Sequence, residues 1–177
     1  MNTLHFFKTC TALAATSVLL VACGGSDDSV RGELIDPPAV VTTLTAAQID
    51  ATTAASGLQA LSGKARCDVR VVALNYATVG VAGEATNASG VMLVPGGTCT
   101  GPFPLVAYAK GTDVQKPRTL ANPADSETGL LMAMYAAQGY AVVATDYLGF
   151  AKSGYSYHPY LHADSEATSI IDAIRAA

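Results

Sequence analysis

The sequence predicts an α/β fold, in which a mostly parallel sheet is flanked by helices and begins with an antiparallel hairpin. After residue 103, apolar strand segments alternate with helical segments over short connections, an order typical of parallel sheets. Before that point, two segments rich in β-branched residues enclose a glycine-bearing loop. The chain is 50% apolar and only 14% charged, which suits a buried sheet rather than a disordered polymer.

Residues 1–22 are predicted to be a lipoprotein signal peptide rather than part of the fold. Lys8 precedes a short apolar stretch, residues 10–22, which has the length of a secretory signal and is too short to span a membrane. The stretch ends in the letters LVAC, which resemble a bacterial lipobox, so Cys23 is the predicted lipidation site. We expect an exported lipoprotein anchored to a membrane, in the periplasm or at the cell surface. A secreted protein with an ordinary cleaved signal is the alternative.

A linker and a short helix are predicted next. The polar residues that follow the signal predict a flexible linker over residues 23–42, and residues 43–177 are then long enough for one domain. Thr45 and Gln48 have the spacing of a capping box, which predicts a helix from about residue 46 to 55.

Residues 68–78 and 84–95 are predicted to pair as the antiparallel hairpin. Cys67 opens the first strand and Cys99 follows the second, so the pairing would bring the two thiols within disulfide reach. An exported chain would also meet an oxidising compartment, which favours the bridge. Two free buried thiols are the alternative, and no partner pair of the C-x-x-C type accompanies them to suggest a metal site.

The remaining elements alternate along the chain. Residues 104–108 and 140–145 are continuous apolar runs, which predict strands buried on both faces. A helix is predicted between them over residues 126–138, and a last helix is predicted to begin with Asp164 as its N-cap. The predicted apolar stripe of the last helix comprises Ile170, Ile171, Ile174 and Ala177.

Two loops follow the carboxyl ends of these strands, where ligands bind in open α/β sheets. In the first, residues 109–113, Gly111 allows either a close backbone approach to a ligand or a plain tight turn. After the second, His158 and His162 are four residues apart. Because a proline separates them and no glutamate accompanies them, we interpret them as loop histidines near the mouth of a site, not as metal ligands.

The order and spacing of these features over residues 65–177 resemble the α/β-hydrolase superfamily, particularly its bacterial secreted lipases and esterases. The first loop is similar to the family's oxyanion loop, with Lys110 where many relatives carry histidine. The loop that begins at Asp146 is similar to the family's Asp-x-x-Gly-x-Gly-x-Ser turn, with Ala151 in place of the second glycine. The letters HPY at 158–160 are similar to a segment that precedes the family's nucleophile.

The resemblance implies roles for particular residues. The backbone at Gly111 and Thr112 is the implied oxyanion hole, and Asp146 is expected to be a structural hydrogen-bonding residue, because the family's catalytic carboxylate follows the nucleophile. The implied pocket-loop residues are Lys110, Asp113, Tyr147, His158 and His162.

No catalytic residue is assigned. The motif Gly-x-Ser-x-Gly does not occur, Ser153 lacks the rest of it, and no histidine follows Ser165. The resemblance therefore implies that residues 43–177 are the N-terminal part of an α/β-hydrolase domain, truncated before the nucleophile and inactive alone. The full enzyme would be an exported serine hydrolase that cleaves carboxylic esters, lipid-like in kind, through an acyl-enzyme.

Two other functions stay open at this point. The fragment could belong to a peptidase of the prolyl-oligopeptidase kind, since fold does not fix substrate, or to a non-catalytic lipoprotein with a binding or structural role. Nucleic acid is not an expected partner, because the net charge is −4 and no basic run is present. No cofactor or metal is implied. The strand at 140–145 is expected to be an exposed sheet edge, which predicts that the isolated chain is aggregation-prone or partly molten.

Overall fold

A five-stranded mixed sheet organises residues 30–177, which are the residues that the computed structural model describes. The elements are β1 (Ala39–Leu44), α1 (Ala46–Ser56), α2 (Gln59–Ser62), β2 (Asp68–Val79), β3 (Ala85–Gly96), β4 (Leu105–Ala109), α3 (Ser126–Met134), β5 (Ala141–Thr145) and α4 (Ala163–Ala176). The sheet order is β1-β2-β3-β5-β4, and strands and helices alternate only from β4 onward, where α3 joins β4 to β5 and α4 follows β5. The predicted signal peptide and the predicted lipidation site, Cys23, lie outside the described residues.

The α/β class and the antiparallel hairpin are confirmed, but the sheet is mixed rather than mostly parallel. Strands β1, β2, β3 and β5 pair with their neighbours in antiparallel fashion, and β4 with β5 is the parallel pair of this part of the chain. The hairpin strands pair from Asp68 with Gly96 to Val79 with Ala85. Gly90 is required where β3 meets β5, because a Cβ there would lie 2.3 Å from the carbonyl oxygen of Ala144.

The predicted disulfide is confirmed at the open end of the hairpin. Cys67 and Cys99 are bonded, with their Cα atoms 5.4 Å apart. The bridge forms because the antiparallel register places the residue before β2 beside the turn that follows β3.

The predicted extent of the linker is wrong for residues 30–42, which lie against the sheet. Gly32 donates its amide to the carbonyl of Ala77 (2.8 Å), and β1 begins at residue 39 and pairs with β2. Arg31 also forms an ion pair of 3.0 Å with the buried carboxylate of Asp172 in α4. The free main-chain groups of β2 therefore order a segment whose composition alone indicated a linker.

The capping box and the first helix are confirmed. The hydroxyl of Thr45 accepts from the amide of Gln48, and the side chain of Gln48 accepts from the amide of Thr45 (2.8 Å). Helix α1 ends at Gly57, whose left-handed φ of 78° is a common helix terminus.

The two short apolar strands differ in burial. Strand β5 is buried along its whole length, as predicted. Strand β4 is not, since it alternates between half-buried and exposed residues and Leu105 is 48% exposed. The reason is the strand order: β5 lies between β3 and β4, so β4 is the edge strand of the described residues. The prediction that residues 140–145 form the exposed edge is therefore wrong.

Helix α4 packs through a different face from the predicted one. Its N-cap is His162 rather than Asp164, and Ile171 and Ile174 are 46% and 39% exposed. Its buried residues are Ser165, Ser169, Asp172 and Ala173. These short side chains allow a close approach to β2, where the Tyr76 hydroxyl donates to the Ser169 carbonyl (3.0 Å) and the Thr78 hydroxyl to Asp172 (2.8 Å). Among the described helices, none is both long and apolar enough to cross a bilayer.

Candidate active site

A cavity of about 420 Å³ lies at the carboxyl ends of β4 and β5, where the sequence predicted a site. Six of the predicted site residues line it: Lys110, Gly111, Thr112, Asp113, Tyr147 and His158. The seventh, His162, does not line the cavity and instead caps α4, where its Nδ1 accepts from the amide of Ser165 (3.2 Å). The two loops and the His-Pro-Tyr segment therefore meet in space.

Lys110 lines the cavity and contacts both loops. Its side chain is 1% exposed, and its Nζ lies 3.7 Å from the ring centroid of Phe150 and 3.6 Å from Oδ2 of Asp113. Within residues 30–177 the ammonium makes no hydrogen bond. Burial lowers the pKa of Lys110, and the nearby carboxylates only partly compensate. A residue that looked like a substitution for the family's histidine thus connects the first loop to the second.

The amide of Gly111 is already engaged. It donates to Oε1 of Glu127 (2.8 Å), which also accepts from the hydroxyl of Tyr108 (2.7 Å). The amide of Thr112, by contrast, donates to no group in the described part of the chain. Glu127 could not be identified from the sequence, because acidic residues are common in the first turn of a helix and indicate no site by themselves.

Arg118 holds the other oxygen of Glu127 and joins the first loop to α3. Its guanidinium donates to Oε2 of Glu127 (2.8 Å), to Asp125 (2.7 Å) and to Asp113 (3.2 Å). Asp125 is the N-cap of α3 and accepts from the amides of Glu127 and Thr128. Sequence reasoning also missed Arg118, which has no motif around it.

These contacts set the ionisation of the loop's carboxylates. Burial would raise the pKa of Glu127, but the hydrogen bonds from Gly111, Tyr108 and Arg118 outweigh it and lower that pKa. The hydrogen bonds from Arg118 likewise lower the pKa of Asp125. The carboxylates therefore stay charged around the loop at neutral pH.

Asp146 has the structural position expected of it. It is fully buried and accepts hydrogen bonds from the hydroxyls of Ser89 (2.7 Å) and Thr119 (2.8 Å) and from the amide of Leu120 (2.7 Å). Burial is the strongest influence and raises its pKa. Because its oxygens accept from β3 and from the segment at 119–120, and because it does not line the cavity, Asp146 positions the second loop.

The second loop is held by a tight backbone approach. Tyr147 has a left-handed φ of 69°, and its amide donates to the hydroxyl of Thr145 (2.9 Å). Gly149 has a φ of 79°, and a Cβ there would lie 2.3 Å from the carbonyl carbon of Tyr157. Unusual φ angles of this kind in bulky residues concentrate at functional sites.

His158 closes one side of the cavity. Its Nδ1 lies 3.0 Å from the carbonyl oxygen of Leu148, so Nδ1 carries the hydrogen and Nε2 is the acceptor in the neutral ring. Its ring lies 4.8 Å from that of Phe150 and 4.5 Å from that of Tyr160. The histidine is thus fixed in one tautomer among aromatic neighbours.

No nucleophile and base pair occurs among residues 30–177. The hydroxyl of Ser153 donates to the carbonyl of Asn87 (2.7 Å), and none of the described serine hydroxyls bonds to a histidine ring nitrogen. In the same residues, no cluster of three or more His, Cys, Asp or Glu could hold a metal ion. The cavity offers hydrogen-bond donors and a fixed imidazole, but not an attacking group.

The fold is similar to that of a solved bacterial esterase. A ligand-bound form of the rice cell wall degrading esterase LipA from Xanthomonas oryzae is 42% identical, with a TM-score of 0.74, over 83% of this chain and 37% of that one. The chain belongs to the α/β-hydrolase superfamily. A putative hydrolase from Legionella pneumophila is 23% identical, with a TM-score of 0.71, over 81% of this chain and 38% of that one; it supports the same fold.

The chain spans 37% of the length of LipA, so it corresponds to part of that α/β-hydrolase. No protein-family model and no curated protein matches the chain. The predicted resemblance to α/β-hydrolases and the predicted partial α/β-hydrolase fold are confirmed.

Proposed function

We propose that this chain carries the oxyanion side of the active site of a serine hydrolase that cleaves carboxylic esters. The observation that carries the proposal is the 42% identity, over 83% of the chain, to an esterase. The cavity supports it, because the loops at the ends of β4 and β5 lie side by side and the amide of Thr112 donates to no group among residues 30–177. The catalytic serine, carboxylate and histidine would come from residues outside these 177, since the sequence has no Gly-x-Ser-x-Gly motif.

In the complete enzyme, the serine hydroxyl would attack the ester carbonyl and lose its proton to the histidine. The alcohol would leave with that proton, and water would then release the acid from the acyl-enzyme. The first loop of this chain would stabilise the negative charge on the carbonyl oxygen in both steps, which is worth about 3–4 kcal/mol of barrier per donor.

Export and lipid anchoring are part of the same proposal. The Cys67–Cys99 disulfide supports an oxidising compartment, and the LVAC sequence supports a lipid on Cys23. In cells grown with radiolabelled palmitate, we expect the label on the wild-type chain and none on Cys23→Ala. Equal labelling of both would show that Cys23 does not carry the lipid. Absence of label from both would favour the alternative of a secreted protein without a lipid anchor.

The catalytic part is tested with p-nitrophenyl butyrate and the matching p-nitroanilide. We expect no turnover by the 177-residue chain, and turnover of the ester but not of the anilide by a polypeptide that continues along the reading frame. Faster turnover of the anilide would favour a peptidase. Absence of turnover by the longer polypeptide would favour a non-catalytic role.

A further inference from the structure

We propose that Glu127 is a positioning residue for the oxyanion loop, and that this loop offers the amide of Thr112 rather than the amide of Gly111. The inference rests on the proposed ester hydrolysis, because it assigns parts within that site. It is carried by the hydrogen bonds that hold the two residues on either side of Thr112: Gly111 is bound to Glu127 of α3, and Asp113 is bound to Arg118, which itself binds Glu127.

The amide of Gly111 has a stronger acceptor than an ester carbonyl. It donates to the carboxylate of Glu127 at 2.8 Å, and hydrogen bonds to charged acceptors are the stronger class. An oxyanion that took this amide would have to displace the carboxylate and would then lie beside it. Two negative groups at one amide repel each other, so the contact excludes Gly111 as the donor while Glu127 is in place.

Glu127 is itself held in place. Its Oε1 also accepts from Tyr108, at the end of β4, and its Oε2 accepts from Arg118. It belongs to the first turn of α3, where the helix dipole favours a carboxylate. The residue therefore fixes the loop to both the strand before it and the helix after it.

Thr112 lies between two anchored neighbours and keeps its own amide free. On one side Gly111 is bound to Glu127, and on the other the carboxylate of Asp113 is bound to Arg118 at 3.2 Å. Thr112 lines the cavity, and its amide donates to no group within the described residues. A donor that is fixed before the substrate arrives is what oxyanion stabilisation requires.

The contact is tested by NMR on the ¹⁵N-labelled 177-residue chain. In the wild type, we expect the amide hydrogen of Gly111 to exchange with solvent at least about 10-fold more slowly than that of Thr112. The chemical shift of the Gly111 amide proton should also change as Glu127 becomes protonated, and this change should occur at a pH below the ordinary pKa of a glutamate. Glu127→Ala should remove both effects. If that variant does not fold, Glu127→Gln keeps an acceptor oxygen and should abolish only the titration.

Glu84→Ala is the matched control. Glu84 also accepts from a tyrosine hydroxyl (Tyr155, 2.8 Å) and from a backbone amide (Ala82, 2.9 Å), but it has no contact with the loop. It should leave the Gly111 signal unchanged. A Gly111 amide that is insensitive to Glu127 substitution and to acid would overturn the positioning role.

The donor assignment is tested by kinetics in the longer polypeptide. Thr112→Pro removes the amide and should lower kcat about 100-fold or more with little change in KM. Thr112→Ala keeps the amide and should lose far less. A Thr112→Pro enzyme with near wild-type kcat would overturn the assignment. An inactive wild-type polypeptide would instead refute the proposed function, and with it the catalytic meaning of the loop, whereas the NMR result would still decide the Glu127 contact.

Discussion

The two loops of the cavity are held by opposite kinds of interaction. The loop after β4 is fixed by charged groups that remain partly exposed, with Arg118 binding Asp113, Asp125 and Glu127. The loop after β5 is fixed by its first residue, Asp146, whose carboxylate is buried, and by a close backbone approach. Charged contacts at the surface therefore hold one side of the site, whereas a buried carboxylate and close packing hold the other.

The largest expected effect is on the buried support of the second loop. Asp146→Ala leaves the donors of Ser89, Thr119 and Leu120 without an acceptor, so we expect a loss of about 3–5 kcal/mol in the free energy of unfolding. Urea unfolding followed by circular dichroism measures it. Asp146→Asn is the matched control and should lose less, because its amide oxygen still accepts from Leu120. Equal losses would show that the charge, not the hydrogen bonds, matters.

The second prediction distinguishes backbone strain from a steric clash at Gly149. In Gly149→Ala, the alanine would have a left-handed φ and a Cβ 2.3 Å from the carbonyl carbon of Tyr157. Gly57→Ala has nearly the same φ, 78°, with open space around the new Cβ. The left-handed φ costs about 1–2 kcal/mol in both variants. We expect Gly149→Ala to lose clearly more in urea unfolding, and equal losses would show that the 157–158 backbone moves aside freely.

The third prediction uses the opposite pKa shifts of the two loops. The pKa values of Glu127 and Asp125 are lowered in the fold, so their stabilisation is complete above the unfolded values of about 4 and is lost as pH falls through the folded values. The pKa of Asp146 is raised, so its contribution is largest at low pH and is lost as pH rises through the folded value.

Two variants should therefore change the pH dependence of stability with opposite signs. Between about pH 3 and 7, Glu127→Gln should reduce the loss of stability on acidification, whereas Asp146→Asn should make that loss steeper. Urea midpoints at several pH values measure both slopes. Slopes that change in the same direction for the two variants would contradict the contrast between the loops.

The smallest expected effect is at Lys110, where the two loops meet. Lys110→Met keeps the apolar stem and removes an ammonium that has no hydrogen bond among the described residues. Because Asp113 keeps its ion pair with Arg118, we expect the free energy of unfolding to change by less than about 1 kcal/mol. We expect the change to be a gain, since the variant removes a buried charge. A loss of several kcal/mol would show that the contact with Phe150 holds the loops together.

The same contrast explains what the sequence could predict. The hairpin and the capping box follow from local patterns, and the disulfide follows from the hairpin register. The cavity could be located, since strand ends are visible in the sequence. The bond from Gly111 to Glu127 could not be predicted, because it joins residues 16 positions apart through tertiary packing.

The face of α4 was mispredicted for a related reason. Its isoleucines form the more apolar stripe, but Ser169 and Asp172 bond to residues of β2 that are more than 90 positions away. A hydrogen-bond partner lowers the free-energy cost of burying a polar group, and the apolar pattern of a helix does not show whether such a partner exists. The burial of Asp172 depends in addition on Arg31, in the segment interpreted as linker.

We have proposed that this chain supplies the oxyanion side, and not the nucleophile, of an ester hydrolase. Labelling with a fluorophosphonate probe, followed by peptide mass spectrometry, tests this proposal. We predict no adduct on the 177-residue chain and one adduct on the longer polypeptide, at a serine outside these residues. An adduct on a serine within the 177 residues, with hydrolysis of p-nitrophenyl butyrate by this chain alone, would contradict the account.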